Sequence, residues 1–353
     1  MTKKSVRTPP RLQSSLLSAL IISAGSLAII GGQAAQAAPN VVVSISPIHS
    51  LVAAVMGEAG TPNLLIEGAG SPHGYQLKPS QAANLQNADV IFWIGPELES
   101  FLEKTLGTVA GKAKSVALID ASDVHHLSPR PGGNFDAHNH EDEHGHDADH
   151  GAEHESGHDD SAAHDHENEE DHAENEHHHN EAIDPHVWLD PHNAKIFIRT
   201  IAETLSVEDP ANAAIYSSNA ATEIERLDVM SKEITARLAP VRDKPYVVFH
   251  DAYQYFEHSF DFKATGSITV NPEIKPGAER VGEIHAKLTE LQAACVFAEP
   301  QFEPKIIKVV TEGTNARSGV LDPLGAELKP GPELYHNLLS NMADAFVECL
   351  SDQ

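Results

Sequence analysis

Short apolar runs alternate with helix-forming stretches along most of this chain, and no other feature narrows its possible folds as far. Residues 41–45, 63–66, 89–94 and 115–119 read as strands. Helices open at Pro47 and cover 79–86 and 97–106. A second set has strands at 246–249, 262–268, 295–298 and 319–321, and helices at 252–258, 278–291, 303–312 and 332–350. Strands that alternate with helices at this spacing are joined by crossovers, and crossovers build parallel sheets covered by helices. Between the two sets lie a helix at 194–205 and a longer one from Ala211 to about Leu238. The longer one follows the start signal Asp209-Pro210, with Ile215, Ile224, Leu227, Met230, Ile234 and Leu238 at near-helical spacing. At 1.5 Å per residue it is roughly 40 Å long, enough to cross a small domain. The expected fold is α/β: two lobes of parallel β-sheet flanked by helices, joined by one long linking helix. The expected boundaries are 38–207 for the first lobe, 208–240 for the link and 241–353 for the second lobe.

One stretch cannot join this scheme. From His138 to His179 there is almost no large apolar residue, and the stretch holds 13 of the chain's 23 histidines. They are His138, His140, His144, His146, His150, His154, His158, His164, His166, His172, His177, His178 and His179. Residues 132–181 carry 18 acids and no Lys or Arg. Such a composition has nothing to bury and reads as a disordered insert, with weak secondary metal binding as the reason for its imidazoles.

The first 37 residues have the plan of a cleavable export signal. Lys3, Lys4, Arg7 and Arg11 precede an apolar core at 16–30, and Ala35-Gln36-Ala37 supplies a small-residue cleavage pattern. The apolar core is short for a membrane span, so the expectation is a soluble protein of the periplasm rather than a membrane-embedded one. The net charge of −28, more negative once the four leader cations are gone, argues against nucleic acid as a partner. Only Cys295 and Cys349 remain as thiols, and in an oxidising compartment two thiols pair. Closing that 55-residue loop constrains the unfolded chain by roughly 4 kcal/mol on the chain-entropy account.

Ligands of open parallel sheets bind beyond the carboxyl ends of the strands. His73 lies in the loop after the second predicted strand, His250 directly follows 246–249, and Asp322 follows 319–321. His186 sits between two Asp-Pro dipeptides, whose prolines stiffen the backbone, and the apolar Val187-Trp188-Leu189 anchors it. Two of the four come from each half, which places them at the cleft between the lobes. Three neutral imidazoles with a carboxylate or a water form a four-coordinate set suited to Zn²⁺. Read singly, each has a structural alternative: His186 in a tight turn, His250-Asp251 as a helix cap, Asp322-Pro323 as an ordinary turn. Of the other histidines, His49 reads as a surface or cleft-rim residue and His192 as part of a helix start. His125, His126, His258, His285 and His336 read as solvated.

Taken together, Asp184-Pro-His-Val-Trp-Leu-Asp-Pro191, Phe249-His-Asp-Ala-Tyr253, Leu321-Asp-Pro-Leu-Gly325 and the acidic, His-rich insert resemble the zinc-uptake branch of one family. It is the metal-binding (cluster A-I) substrate-binding proteins of ABC transporters, and the resemblance spans essentially the whole mature chain. It implies two α/β lobes bridged by a long helix, with the metal in the cleft on His73, His186 and His250. A carboxylate replaces His250 in manganese- and iron-binding relatives, so an imidazole there favours zinc. One position departs from the pattern: some zinc-binding relatives carry Glu directly before the first ligand, and this chain has Pro72. The fourth ligand is then water or Asp322. The resemblance implies a monomeric, non-enzymatic receptor that hands Zn²⁺, as cargo, to an ABC transporter membrane permease. Two other readings stand beside it: a zinc hydrolase or hydratase using a three-His site, and a zinc buffer or adhesin that needs no transporter.

Overall fold

The computed structural model describes residues 38–130, 182–269, 272–274, 276–302 and 305–351. The leader expected at 1–37 and the His-rich insert, with all 13 of its histidines, lie outside the described residues.

The first sheet is parallel, in the order β2-β1-β3-β4, from β1 (Val41–Val43), β2 (Asn63–Leu64), β3 (Val90–Trp93) and β4 (Lys114–Ala117). β1 and β3 are wholly buried, as uninterrupted apolar runs must be when helices cover both faces of a sheet. The helices of this part are α1 (Ser46–Met56), α2 (Pro79–Gln86), α3 (Ser100–Thr108) and α4 (Pro191–Glu208). Pro47 and Pro191 fall in the first turns of α1 and α4, where a missing N–H costs nothing. Asp190 caps α4 by accepting the His192 N–H at 2.7 Å.

The second sheet repeats the topology as β6-β5-β7-β8, from β5 (Tyr246–His250), β6 (Gly266–Thr269), β7 (Cys295–Ala298) and β8 (Arg317–Val320). Two parallel-sheet lobes are therefore present, as the alternation predicts. Between them runs the long helix α5 (Ala213–Leu238), entered through a tight turn at Pro210–Asn212. Its buried stripe is Tyr216, Ala220, Glu223, Leu227, Met230, Ile234 and Leu238. Ile215, expected on that stripe, is instead 40% exposed, because its neighbour Tyr216 takes the inward position and gives its hydroxyl to Asp209 at 2.7 Å. The remaining helices are α6 (Gln254–Phe260), α7 (Ala278–Glu290), α8 (Lys305–Thr311) and α9 (Leu334–Leu350). Several predicted strands prove shorter: 41–45, 89–94 and 115–119 each lose one or two residues, 63–66 is strand only at Asn63–Leu64 although the Leu65 and Ile66 N–H groups still bond the Val43 and Ser44 carbonyls, and 262–268 becomes strand at Gly266.

One apolar core runs through both lobes, from β1 and α1 across α5 to β5, β7 and α9, and a smaller one fills the space between the second sheet, α7 and α8. α9 returns from the second lobe to the first: Ser50 Oγ donates to the Pro332 carbonyl at 3.0 Å and accepts the Tyr335 N–H at 2.9 Å. Cys295 and Cys349 form a disulfide that fixes the end of α9 to the start of β7. Gly319 faces this bond, and a Cβ there would come 2.6 Å from the Phe297 ring. The chain leaves the described part at Arg130 and returns at Ala182, and the two ends are tied together by the Asp184 N–H on the Leu127 carbonyl at 2.8 Å. Side chains of α6 clamp this neck. Tyr255 Oη accepts the Leu127 N–H at 2.9 Å and donates to the Asp184 carbonyl at 3.0 Å, and Gln254 donates to the Ser128 carbonyl at 3.0 Å. The Arg130 guanidinium pairs with Asp251 and, at 2.7 Å, with Glu257. No helix of the described residues is long and apolar enough to cross a membrane.

Candidate metal centre

In each sheet the connections from two adjacent central strands diverge to opposite sides, opening a crevice at their carboxyl ends. In the second lobe that crevice lies between β5 and β7. His250 is the last residue of β5, and Glu299 is the first after β7. The Glu299 Oε1 lies 2.6 Å from His250 Nδ1, and the carboxylate side chain is almost wholly buried. An ionised carboxylate only accepts, so Nδ1 carries the proton and Nε2 offers its lone pair to the cleft.

The Asp184–His186 segment repeats the device with a different backbone. Asp184 Oδ1 accepts both the His186 N–H at 3.0 Å and Nδ1–H at 2.7 Å, a local loop that holds the ring edge-on. Its other oxygen accepts Gln254 Nε2 at 3.2 Å. Behind the ring, Trp188 donates its indole N–H to the Pro323 carbonyl at 2.8 Å, and Tyr335 Oη donates to the Trp188 carbonyl at 2.6 Å. The segment is thus bolted to the second lobe while leading into α4 of the first.

His73 arrives from the loop after β2 and completes the group. Its Nε2 lies 3.3 Å from His186 Nε2, which lies 3.3 Å from His250 Nε2, and each of the three offers a ligand atom within 4.8 Å of the others. Two imidazole nitrogens held about 2.0–2.1 Å from one tetrahedral zinc are roughly 3.4 Å apart. Without a cation or proton between them, lone pairs at 3.3 Å repel. Burial, reinforced by the charges His186 and His250 would carry, pushes His73 down to about 2, so it stays neutral. The His73 ring is therefore in the state that a metal ligand needs. Ser71, two residues before His73, donates to Glu273 of the second lobe at 2.7 Å, and a Cβ at Gly74 would press on that carboxylate at 3.0 Å. The open side of the group is a cleft of about 350 Å³ whose lining includes His73, His186, Asp184, Arg130, Asp251 and Glu273.

Asp322, the fourth residue singled out from the sequence, is not brought into this group. Its oxygens accept the N–H groups of Leu324, Gly325 and Ala326 and the Gln301 amide at 2.6–3.2 Å, so it closes a turn. The two orienting carboxylates were not singled out. The rule that selects polar residues just after strands applies equally to Glu299, and Asp184 stands inside the motif read only for its prolines. His49 proves 6% exposed, its Nε2 donating to the Pro62 carbonyl at 3.1 Å, because α1 carries it inward. His336, expected to be solvated, donates to buried Glu223 at 2.7 Å, and His126 donates to the Ile119 carbonyl at 2.8 Å. His125 and His258 meet with ring centres 4.5 Å apart and planes tilted by 52°; His258 is exposed, as expected, and His125 is half-buried.

Two parallel α/β lobes joined by a long helix, with a histidine group at the strand ends, define a solute-binding protein with a metal-type site. Residues 41–349 match the family described as ZnuA, zinc-uptake complex component A periplasmic. The chain is 54% identical over 336 residues to the high-affinity zinc uptake system protein ZnuA of Brucella suis biovar 1 (strain 1330), covering 95% of this chain and 99% of that one. It is 42% identical to the protein of the same name from Paracoccus denitrificans (strain Pd 1222), covering 94% and 97%. A crystal structure of ZnuA superposes with a TM-score of 0.68 at 22% identity, over 89% of this chain and all of the other. This chain belongs to the ZnuA family of periplasmic zinc-uptake components.

Proposed function

We propose that the chain captures Zn²⁺ from the periplasm on His73, His186 and His250 and surrenders it to the membrane permease of an ABC transporter. The observation that carries this reading is the paired second layer: two imidazoles have Nδ1 locked by buried carboxylates, Asp184 and Glu299, so that Nε2 faces a common point. Three nitrogen donors and a water from the cleft give four-coordinate zinc, and the ion is cargo rather than cofactor. Residues 1–37 act as the export leader, 38–207 and 241–353 as the two jaws and 208–240 as the link. The 13 histidines of the insert form a weaker, secondary set of zinc ligands. One chain supplies all three imidazoles, so a monomer suffices.

Receptor rather than hydrolase is favoured by the commitments of three carboxylates around the site. Asp184 and Glu299 are committed to the rings and Asp251 to Arg130, which leaves none of these three to act on a zinc-bound water as general base. Protein purified without chelator should carry zinc, and His73→Ala, His186→Ala and His250→Ala should each weaken binding at least tenfold in a chelator competition. Unchanged affinity in all three variants would overturn the assignment. Turnover of ester or peptide substrates would favour the hydrolase, and normal growth of a deletion strain under zinc starvation the buffer or adhesin.

A further inference from the structure

Outside the cleft, one other group of side chains among the described residues has the composition and spacing of a metal site. His125 comes from the segment after β4, Asp190 from the start of α4, and His258 from α6, and each offers a ligand atom within 4.8 Å of the others. They share an open depression with Pro191, Lys195 and Asp228. We propose that His125, Asp190 and His258 form a second site for a divalent transition ion of the zinc class, distinct from the imidazole triad of the cleft.

Helix capping accounts for only half of Asp190. Its Oδ1 accepts the His192 N–H at 2.7 Å and the Ser259 hydroxyl at 2.8 Å. Its Oδ2 faces His125 Nδ1 at 3.5 Å, beyond hydrogen-bond length, although the side chain is only 5% exposed. Donors held 2.0–2.2 Å from one tetrahedral ion stand roughly 3.4 Å apart, so 3.5 Å is a ligand–ligand separation. The His125 segment is itself pinned: its N–H donates to Asn193 Oδ1 at 2.8 Å, and Asn193 Nδ2 donates back to its carbonyl at 3.0 Å. Lys195, the cation on the rim, is paired with Asp228 at 2.7 Å. Two nitrogens and one carboxylate oxygen with an open fourth position suit zinc and its neighbours rather than calcium or magnesium. Since His258 is exposed and His125 only half-buried, this site should be weaker than the buried triad.

Its position relative to the cleft gives the site a role. Asp190 stands four residues after His186 and His258 eight after His250, so the segments that carry two cleft ligands also carry two ligands here. An ion at this point ties α6 of the second lobe to the start of α4 and to the segment running toward Arg130.

The test uses the full mature protein and Zn²⁺ alone as probe. Crystals equilibrated with excess zinc should give two anomalous peaks at the zinc edge, one among His73, His186 and His250 and one touching His125, Asp190 and His258. His258→Gln should abolish the second peak, keep the first and release one zinc per chain in equilibrium dialysis at micromolar zinc. His125→Gln should weaken that same zinc at least tenfold, as losing a direct ligand exceeds the 10–100-fold cost of losing an outer-layer partner. A filled cleft with no peak at the second group, a peak on His258 that does not reach Asp190, or unchanged zinc stoichiometry in both variants would overturn the proposal.

Discussion

Glu299→Gln is the sharpest test of how the cleft works, because it alters charge and hydrogen-bond polarity but hardly changes shape. Glu299 Oε1 sits 2.6 Å from His250 Nδ1, and its side chain is 1% exposed. A hydrogen bond to a charged partner nets about 1.5–3 kcal/mol and a neutral one about 0.5–1.5 kcal/mol. Loss of the charge alone therefore costs on the order of 1 kcal/mol, roughly five- to tenfold in affinity. The amide can also turn its NH₂ toward Nδ1, which would move the ring proton to Nε2 and block the ligand atom, so the total should fall in the 10–100-fold range. The apoprotein should be no less stable than the parent, since a neutral amide is cheaper to bury than a carboxylate. The assay is a zinc competition against a chelating dye, with urea unfolding of the apoprotein as the control. Zinc affinity within about twofold of the parent, with the fold intact, would show that Glu299 does not set the state of His250.

Asp322→Ala should leave zinc affinity unchanged in the same competition while costing about 1–2 kcal/mol in urea unfolding, because it removes the acceptor that closes a turn. Glu99 is raised to about 7 by burial, although the Ser44 hydroxyl and the Ile94 and Gly95 N–H groups, the latter two on Oε2, favour its charged form. The folded chain thus holds a proton that the unfolded chain releases above about 4.5, and this contribution is complete below 4.5 and lost as pH rises through 7. Glu99→Gln should therefore gain up to about 3 kcal/mol over the parent at pH 8 and little at pH 4, read from unfolding curves at both. Replacing both Cys295 and Cys349 with Ser should cost about 4 kcal/mol without changing zinc affinity, since the bond joins α9 to β7 within its own lobe. Excising 138–179 should preserve one tight zinc in a calorimetric titration and abolish the additional weak binding expected of the parent; loss of the tight site would mean that the insert supplies primary ligands.

The architecture was readable because buried parallel strands and amphipathic helices leave periodic traces, and the chain carries them on both sides of the insert. Tyr246 to His250 is apolar until its last residue, and that last residue is a ligand. Strand ends were harder: 63–66 continues apolar past Leu64, yet the regular ladder covers only Asn63 and Leu64, because β1 turns into α1 just after Val43 and leaves single bonds to Leu65 and Ile66. The triad could be chosen by position after strands, but its arrangement could not, since His73 and His250 are 177 residues apart in the chain. Asp322 was attractive on the same rule and failed, as the same carboxylate can satisfy three successive backbone N–H groups. Local hydrogen bonds of that kind compete silently with any sequence pattern. The His125, Asp190 and His258 group had no signature at all, being assembled from three segments that each have another local use.

The neck between Leu127 and Asp184 bears on how such a chain can change over generations. The Asp184 N–H, Tyr255 and Arg130 hold residues 127–130 beside Asp184, so the described lobes are joined at this point without any contribution from residues 131–181. Doubling the length of a branch closed at its base costs only about 0.6 kcal/mol in closure entropy. Lengthening, trimming or recomposing residues 131–181 should therefore leave zinc affinity of the imidazole triad unchanged in a chelator competition. The neck is thus a socket in the scaffold, closed by contacts that do not depend on what is inserted there. For the engineer it is also a natural place to graft a reporter beside a metal cleft.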